Sequence, residues 1–286
     1  MNTNFFVKSH GLGNDYIVLD SENIDFELSP EKIKTICEVH FGIGSDGILL
    51  KVPSKICDFG LRIFNPDASE AENCGNGLRI FSKYLFDYKL TTQKHFTIDI
   101  LGREINCEII ELENEQARRI KVGMGKANFI SKAIPVSLDK EECINENLVI
   151  EDKTFNINCV SMGNPHCVVR RDNLSLEELL KYGPFIEKHA LFPNKTNVQF
   201  IEVIDKNNIK ALIWERGAGH TLASGSSSCG IASTALKRGW IDNKVKIHLE
   251  GGILEIEIDD NWNVYMTGEV KEIANGYLSN ELTANN

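Results

Sequence analysis

A cysteine, Cys74, stands immediately before a Gly-Asn-Gly turn in "AENCGNGLR" (71–79). One hundred and fifty residues later a serine, Ser224, stands immediately before Gly-Ser-Ser in "TLASGSSSC" (221–229). Both stretches run from a polar loop through small residues into the start of a helix. A helix N-terminus offers N–H groups without intrahelical partners and the positive end of the helix dipole. Such a place holds a carboxylate and also lowers the pKa of a neighbouring thiol. Gly75 and Gly77 let a ligand approach the backbone beside Cys74. The pattern therefore points to a reactive thiolate next to an anion-binding turn. A small buried cysteine at a turn is the plainer alternative.

Other readings of the same loops are weaker. Neither junction carries the Gly-Lys-Ser/Thr of a phosphate-binding loop or the Gly-x-Gly-x-x-Gly of a dinucleotide site. A papain-like pairing of Cys74 with His10 or His166 stays open, although nothing local selects either histidine. Near the second junction "ERGAG" supplies Glu215 and Arg216, a carboxylate for an ammonium and a guanidinium for a carboxylate. A surface salt bridge between the two is the bland account. Asn14, Asn65, Asn164 and Asn197 sit in the turns "GND", "FNPD", "GNPH" and "FPNKTNV". Asparagine suits turns for backbone reasons alone, yet Asn14 and Asn164 are again 150 residues apart.

These groups must be positioned by a chain of 286 residues, enough for one large or two medium domains. The 42% hydrophobic and 25% charged residues are globular values. A net charge of −10 argues against nucleic-acid and anionic-membrane partners. No apolar run of about 18 residues exists to span a bilayer, and the start, "MNTNFFVKSHGLGN", has no signal-peptide core. Eight cysteines without that signal, and without a Cys-x-x-Cys pair, are expected to be free thiols in the cytoplasm with no zinc site.

The 150-residue offset recurs. "HGLGNDYIVLD" (10–20) aligns with "VSMGNPHCVVR" (160–170), and "FTIDILGREINCEII" (96–110) resembles "VKIHLEGGILEIEI" (245–258). Alternation places Ile98, Ile100 and Ile105 in the first hairpin opposite Ile247, Leu249 and Leu254 in the second. Helices are expected over 29–40, 76–90 and 226–239, with one over 175–189 broken near Gly183-Pro184. "VGMGKANF" (122–129) reads as a crossover, and the last ten or so residues as frayed. The expected fold is α/β (α+β), with two pseudo-symmetric domains from an internal duplication. Each is a bent, mainly antiparallel sheet or barrel around a central helix. The domains are 1–122, completed by 270–286, and 123–269.

The motifs "KSHGLGNDYIVLD", "FGIGSDGILL", "RIFNPDASEAENCGNGLR", "SMGNPHCVV", "FPNKTNVQF" and "WERGAGHTLASGSSSC" carry a resemblance. In that order, from residue 8 to 229, the chain resembles the diaminopimelate epimerases, relatives of the proline racemases. The resemblance implies two pseudo-symmetric domains with the active site in the cleft between them, a homodimer, and no pyridoxal cofactor or metal. It implies a small amino-acid substrate whose α-carbon is epimerised between LL- and meso-diaminopimelate, on the route to lysine. It places Cys74 in an acid/base pair facing opposite sides of the α-carbon. Asn14, Asn65, Asn164, Asn197, Glu215 and Arg216 become substrate contacts. The backbone amides of Gly75-Asn76 and Gly225-Ser226 become the clamp for the α-carboxylate.

One position departs from the pattern. The family carries a second cysteine where this chain has Ser224, and Cys229 lies about one and a half turns farther into the helix. Cys229 is expected to pack in the core. A serine hydroxyl is a poor base near neutral pH without an activating neighbour, for which His220 is one candidate, although a His220 that adjusts the pocket or faces solvent is the plainer reading. Gly47 also stands where some members carry a larger polar residue. The departure leaves alternatives open: a racemase of another amino acid, a one-base lyase or dehydratase of a β-hydroxy amino acid, or an amino-acid-binding protein without chemistry.

Overall fold

The computed structural model describes residues 3–71 and 74–284. Glu72 and Asn73 of the Cys74 motif, and the last two residues of the tail, lie outside the described residues. In chain order the elements begin β1 (Phe5–Gly11), β2 (Asn14–Asp20), α1 (Pro30–Cys37), β3 (Ile48–Val52), β4 (Phe59–Phe64) and α2 (Gly75–Asp87). They continue β5 (His95–Ile100), β6 (Arg103–Glu113), β7 (Gln116–Lys126), β8 (Ile144–Ile150), β9 (Lys153–Ser161), β10 (Pro165–Arg170) and α3 (Leu176–Glu187). Then come β11 (Asn197–Asp205), β12 (Asn208–Glu215), β13 (Gly219–Thr221), α4 (Gly225–Lys237), β14 (Lys244–Leu249) and β15 (Gly252–Ile258). The chain closes with β16 (Asn263–Glu269), β17 (Lys271–Tyr277) and α5 (Asn280–Thr283). The fold is mixed α/β and dominated by sheet. It divides into two units, Met1–Val122 with Gly268–Asn286, and Gly123–Thr267.

In the first unit β1 and β2 form an antiparallel hairpin. Its two-residue turn holds Leu12 at φ 57° and Gly13 at φ 89°, the left-handed pair that matches strand twist. β2 pairs parallel with β3 across α1, and β4 parallel with β5 across α2. Parallel neighbours require a crossover of this kind, whereas β3–β4, β5–β6 and β6–β7 are antiparallel and need only turns. β17 pairs with β1 on its other edge. Helix α2 is buried from Gly75 through Phe86, so it forms the middle of the unit.

The second unit repeats this order. β9–β10 is an antiparallel hairpin, β10–β11 pairs parallel across α3, and β12–β14 parallel across α4. β11–β12, β14–β15 and β15–β16 are antiparallel, and β8 pairs with β9 as β17 does with β1. Gly163, at φ 90°, turns the chain ahead of Asn164 as Gly13 does ahead of Asn14. The small residues of α4 (Gly, Ser, Ala) let neighbours press close: a Cβ on Gly230 would sit 3.0 Å from the His166 ring. Cys229 is fully buried in α4, as its position in the helix suggests.

The core of this unit centres on Phe155, Ile157, Val169, Leu179, Val198 and Phe200, all fully buried. Phe155 meets Tyr182 edge-on at 5.1 Å and Phe200 at 5.7 Å. Truncating so many contacts leaves a cavity, so Phe155→Ala should cost about 3–5 kcal/mol of stability. Urea denaturation of the two proteins measures that difference.

Two local expectations change. Helix α3 runs unbroken through Gly183-Pro184 to Glu187. Packing overrides the lost Pro184 N–H: Gly183 lies against Trp214, where a Cβ would be 3.0 Å from the ring, and the Trp214 indole donates to Glu187 Oε2 at 2.8 Å. The tail is ordered beyond the point where fraying was expected. β17 occupies 271–277, Leu278 and Leu282 join the core of Phe6, Ile17 and Leu19, and Ser279 caps α5.

Candidate active site

Cys74 is the N-cap of α2. Its backbone is extended (φ −150°, ψ 105°), and its Sγ accepts from Gly77 N–H at 3.2 Å. Gly77 has to be small here, because a Cβ on it would lie 2.9 Å from Leu49 and 3.4 Å from Sγ. The half-buried thiol also donates to the Tyr16 hydroxyl at 3.4 Å. Tyr16 is held in turn by Gly47. A side chain at 47 would meet the Tyr16 ring at 2.7 Å and the Phe64 carbonyl at 2.4 Å, so packing explains this glycine. The N–H groups of Gly75 and Asn76 belong to the first turn of α2, where no intrahelical acceptor exists.

A one-directional chain of donors fixes the neighbouring amides. Buried Arg79 donates to Asn76 Oδ1 at 2.8 Å, Asn76 Nδ2 to Asn14 Oδ1 at 3.1 Å, and Asn14 Nδ2 to Asp46 at 2.8 Å. A guanidinium only donates, so it sets which way each amide faces. Cys74, Asn76 and Asn14 are thus brought together. Asn65 instead opens its own tight turn, donating to Ser69 Oγ at 2.9 Å. His10 Nδ1 accepts from Gly13 N–H at 3.2 Å rather than serving Cys74, so the papain-like pair is not formed there.

Ser224 caps α4 from nearly the same backbone conformation (φ −145°, ψ 125°), and α4 is 13 residues long, as is α2. Its Oγ accepts from Ser227 N–H at 3.5 Å and donates to Glu215 Oε2 at 2.9 Å. The other Glu215 oxygen accepts from Thr221 Oγ1 at 2.7 Å. The hairpin of β12 and β13 makes this contact by pairing Glu215 with Gly219 and Ile213 with Thr221. His220, the neighbour suggested by the sequence, turns instead to Glu250 at 2.5 Å. Glu215 and Arg216 do not pair with each other among the described residues. Arg216 Nη1 donates to the Asn194 carbonyl at 3.2 Å, and its N–H donates to Asn197 Oδ1 at 2.9 Å.

A second donor chain lies behind Ser226. Gln199 Nε2 contacts His166 Nδ1 at 3.0 Å, His166 Nε2 contacts Asn164 Oδ1 at 2.8 Å, and Asn164 Nδ2 donates to Ser226 Oγ at 3.4 Å. Gln199 also donates to Ser227 Oγ at 3.1 Å. The Nε2–H tautomer of a neutral His166 satisfies every contact. Burial, reinforced by the charge of Arg216, pushes the imidazole down to about 3. An unfolded histidine protonates near pH 6.5, so between about pH 6.5 and 3 the unfolded chain binds one proton more than the fold. Stability is therefore complete above that window and falls as the pH is lowered through it, by about 1.4 kcal/mol per unit from this group. Urea unfolding between about pH 7 and pH 4 checks the slope, and His166→Gln should remove this share of it.

Sequence spacing pointed to the two caps and to the amides. It missed Tyr16, Thr221, Gln199 and the pairing of Glu215 with Ser224. Only the last had a local signal, since the Gly-Ala-Gly of "ERGAGHT" marks a reversal that folds Glu215 back toward Thr221.

Known proteins resemble this chain in sequence and in fold. The family model described as diaminopimelate epimerase matches residues 6–130 and 158–273. "Diaminopimelate epimerase 2" of Nostoc sp. strain PCC 7120 is 47% identical over 280 residues, covering 98% of this chain and 97% of the relative. The diaminopimelate epimerase of Methanococcus maripaludis strain S2 is 41% identical, covering 96% and 99%. Among solved structures, a hydroxyproline epimerase from Agrobacterium vitis has a TM-score of 0.71 at 9% identity, covering 97% of this chain and 91% of its own. A PhzF-family phenazine biosynthesis protein from Bacillus anthracis has a TM-score of 0.67 at 17% identity, covering 98% and 100%. These two likenesses are of fold, whereas sequence identity near half over almost the whole length is of kind: the chain belongs to the diaminopimelate epimerase family.

Proposed function

We propose that the protein interconverts LL- and meso-diaminopimelate by removing and returning the α-proton, with Cys74 serving one face of the carbon and Ser224 the other. The observation that carries this reading is the matched pair of caps. A thiol and a hydroxyl occupy equivalent positions on two 13-residue helices, each beside first-turn N–H groups. Those of Gly75, Asn76, Gly225 and Ser226 suit the α-carboxylate and the charge that develops on it as the proton leaves, so no pyridoxal is needed. Asn14, Asn65, Asn164, Asn197 and Arg216 supply further polar contacts, and Glu215 an anion for the ammonium. The names of the relatives support diaminopimelate as substrate and a place on the route to lysine. A cytoplasmic homodimer completes the reading, supported by the family resemblance and by eight free cysteines.

Chiral chromatography of LL-diaminopimelate incubated with the purified protein tests it directly. The expected result is meso product approaching a fixed ratio from either epimer. Consumption of a β-hydroxy amino acid with no action on diaminopimelate would instead favour the one-base lyase.

A further inference from the structure

We propose that Cys143, Cys159 and Cys167 form a row of thiols inside the second unit, at which hydrogen peroxide joins Cys143 to Cys159 in a reversible disulfide. All three are 0% exposed and belong to the core of that unit. Strand register brings them together. Ile144 pairs with Asn158 where β8 meets β9, so Cys143, one residue earlier, stands opposite Cys159 in the antiparallel ladder. The Cys159 N–H accordingly donates to the Cys143 carbonyl at 2.8 Å. On its other side Cys159 pairs with Cys167 of β10. Because the Cys159 N–H points to Cys143, its pairing with Cys167 is of the non-hydrogen-bonded kind, in which opposite side chains lie closest. Directly opposed residues share a sheet face, so the three thiols lie in one row with Cys159 in the middle. Opposed Cα atoms are about 4.5–5.5 Å apart in such ladders, within the span of a disulfide.

The row is not symmetric. The Cys159 thiol donates to the Cys143 sulfur, which holds the Cys143 thiol below the usual range, whereas burial pushes Cys159 up. The ladder is also irregular beside Cys143. Its register shifts between Ile144 and Glu146, Asn145 is at φ 61°, and Glu142 and Ile144 are half-exposed. Local opening of that strand end admits a small oxidant to Cys143 first. The Cys143 thiolate attacks one peroxide oxygen, the O–O bond breaks, and the departing hydroxide takes up a proton as water. Cys143 is then a sulfenic acid. The Cys159 sulfur attacks the Cys143 sulfur, the S–O bond breaks, and the hydroxide leaves with the Cys159 proton as a second water. Two thiols and one peroxide become one disulfide and two waters. A dithiol reductant restores both thiols.

Peptide mapping tests the site: the native protein is treated with hydrogen peroxide, unfolded in urea with iodoacetamide and digested without reductant. The expected result is a linked pair of peptides carrying Cys143 and Cys159, lost after dithiothreitol, while the fully buried Cys229 is alkylated throughout. Cys143→Ala or Cys159→Ala should lower the bridged product at least about tenfold, and Cys167→Ala should change it less than about twofold. Cys143 and Cys159 left as free thiols under conditions that oxidise the half-buried Cys57 would overturn the site. A bridge formed only in urea would do the same. A bridge from Cys159 to Cys167 with Cys143 still reduced would overturn the order of attack. Cys143 driven to the sulfinic acid with no bridge would remove Cys159 as its partner.

Discussion

Cys74→Ser is expected to lower epimerisation by about two to four orders of magnitude while leaving the fold intact, since a positioned acid–base group is worth that much. Chemistry and structure separate cleanly at this position. Serine is a preferred N-cap, so the contact now made by Cys74 Sγ to Gly77 N–H survives the change. The Tyr16 hydroxyl, 3.4 Å from Sγ, can also still bond an oxygen at 74. What is lost is the sulfur itself, since a thiol is as a class a far stronger acid than a serine hydroxyl. Among the described residues the thiol contacts the Tyr16 hydroxyl and the Gly77 N–H, neither of them a carboxylate such as Ser224 has in Glu215. Initial rates on LL-diaminopimelate, with thermal unfolding of the same samples, measure both sides. A variant within threefold of the native rate would remove Cys74 from the reaction.

Ser224→Cys should act in the opposite sense and raise the rate about ten- to a hundredfold. The cap position accepts a thiol, as Cys74 shows with nearly the same backbone angles. A cysteine there still lies within reach of Ser227 N–H and Glu215, so the stability change should stay under about 1 kcal/mol. The gain comes from placing on that face a thiol, which is as a class a far stronger acid than a hydroxyl. An unchanged or lower rate in a folded variant would mean that Ser224 is not positioned at the reacting carbon. The two substitutions together make a strong pair, because each exchanges one chalcogen and the predicted effects have opposite signs.

Much of this is legible in the sequence alone. Small residues after a polar loop mark a helix start wherever they occur, so the caps at Cys74 and Ser224 could be read from types and spacing alone. The glycines before Asn14 and Asn164 signal turns by the same local logic. The partner of Ser224 was less visible. Glu215 is nine residues away, and only the register of the β12–β13 hairpin decides that it, and not His220, faces the hydroxyl. The Gln199–His166–Asn164 chain was out of reach. It depends on β10 and β11 lying parallel with His166 opposite Asn197, a pairing across 31 residues that no local pattern announces. Pro184 shows the converse, a local signal for a helix break that the contact of Gly183 with Trp214 overrides.

Two proton carriers serving one carbon is the central claim, and proton NMR of LL-diaminopimelate with the native protein in deuterated water tests it most directly. Loss of the α-proton signal should proceed together with formation of the meso epimer, and the product should carry deuterium at the inverted centre. Deuterium entering LL-diaminopimelate with no meso product would mean that one carrier exchanges alone on a single face, which contradicts the claim.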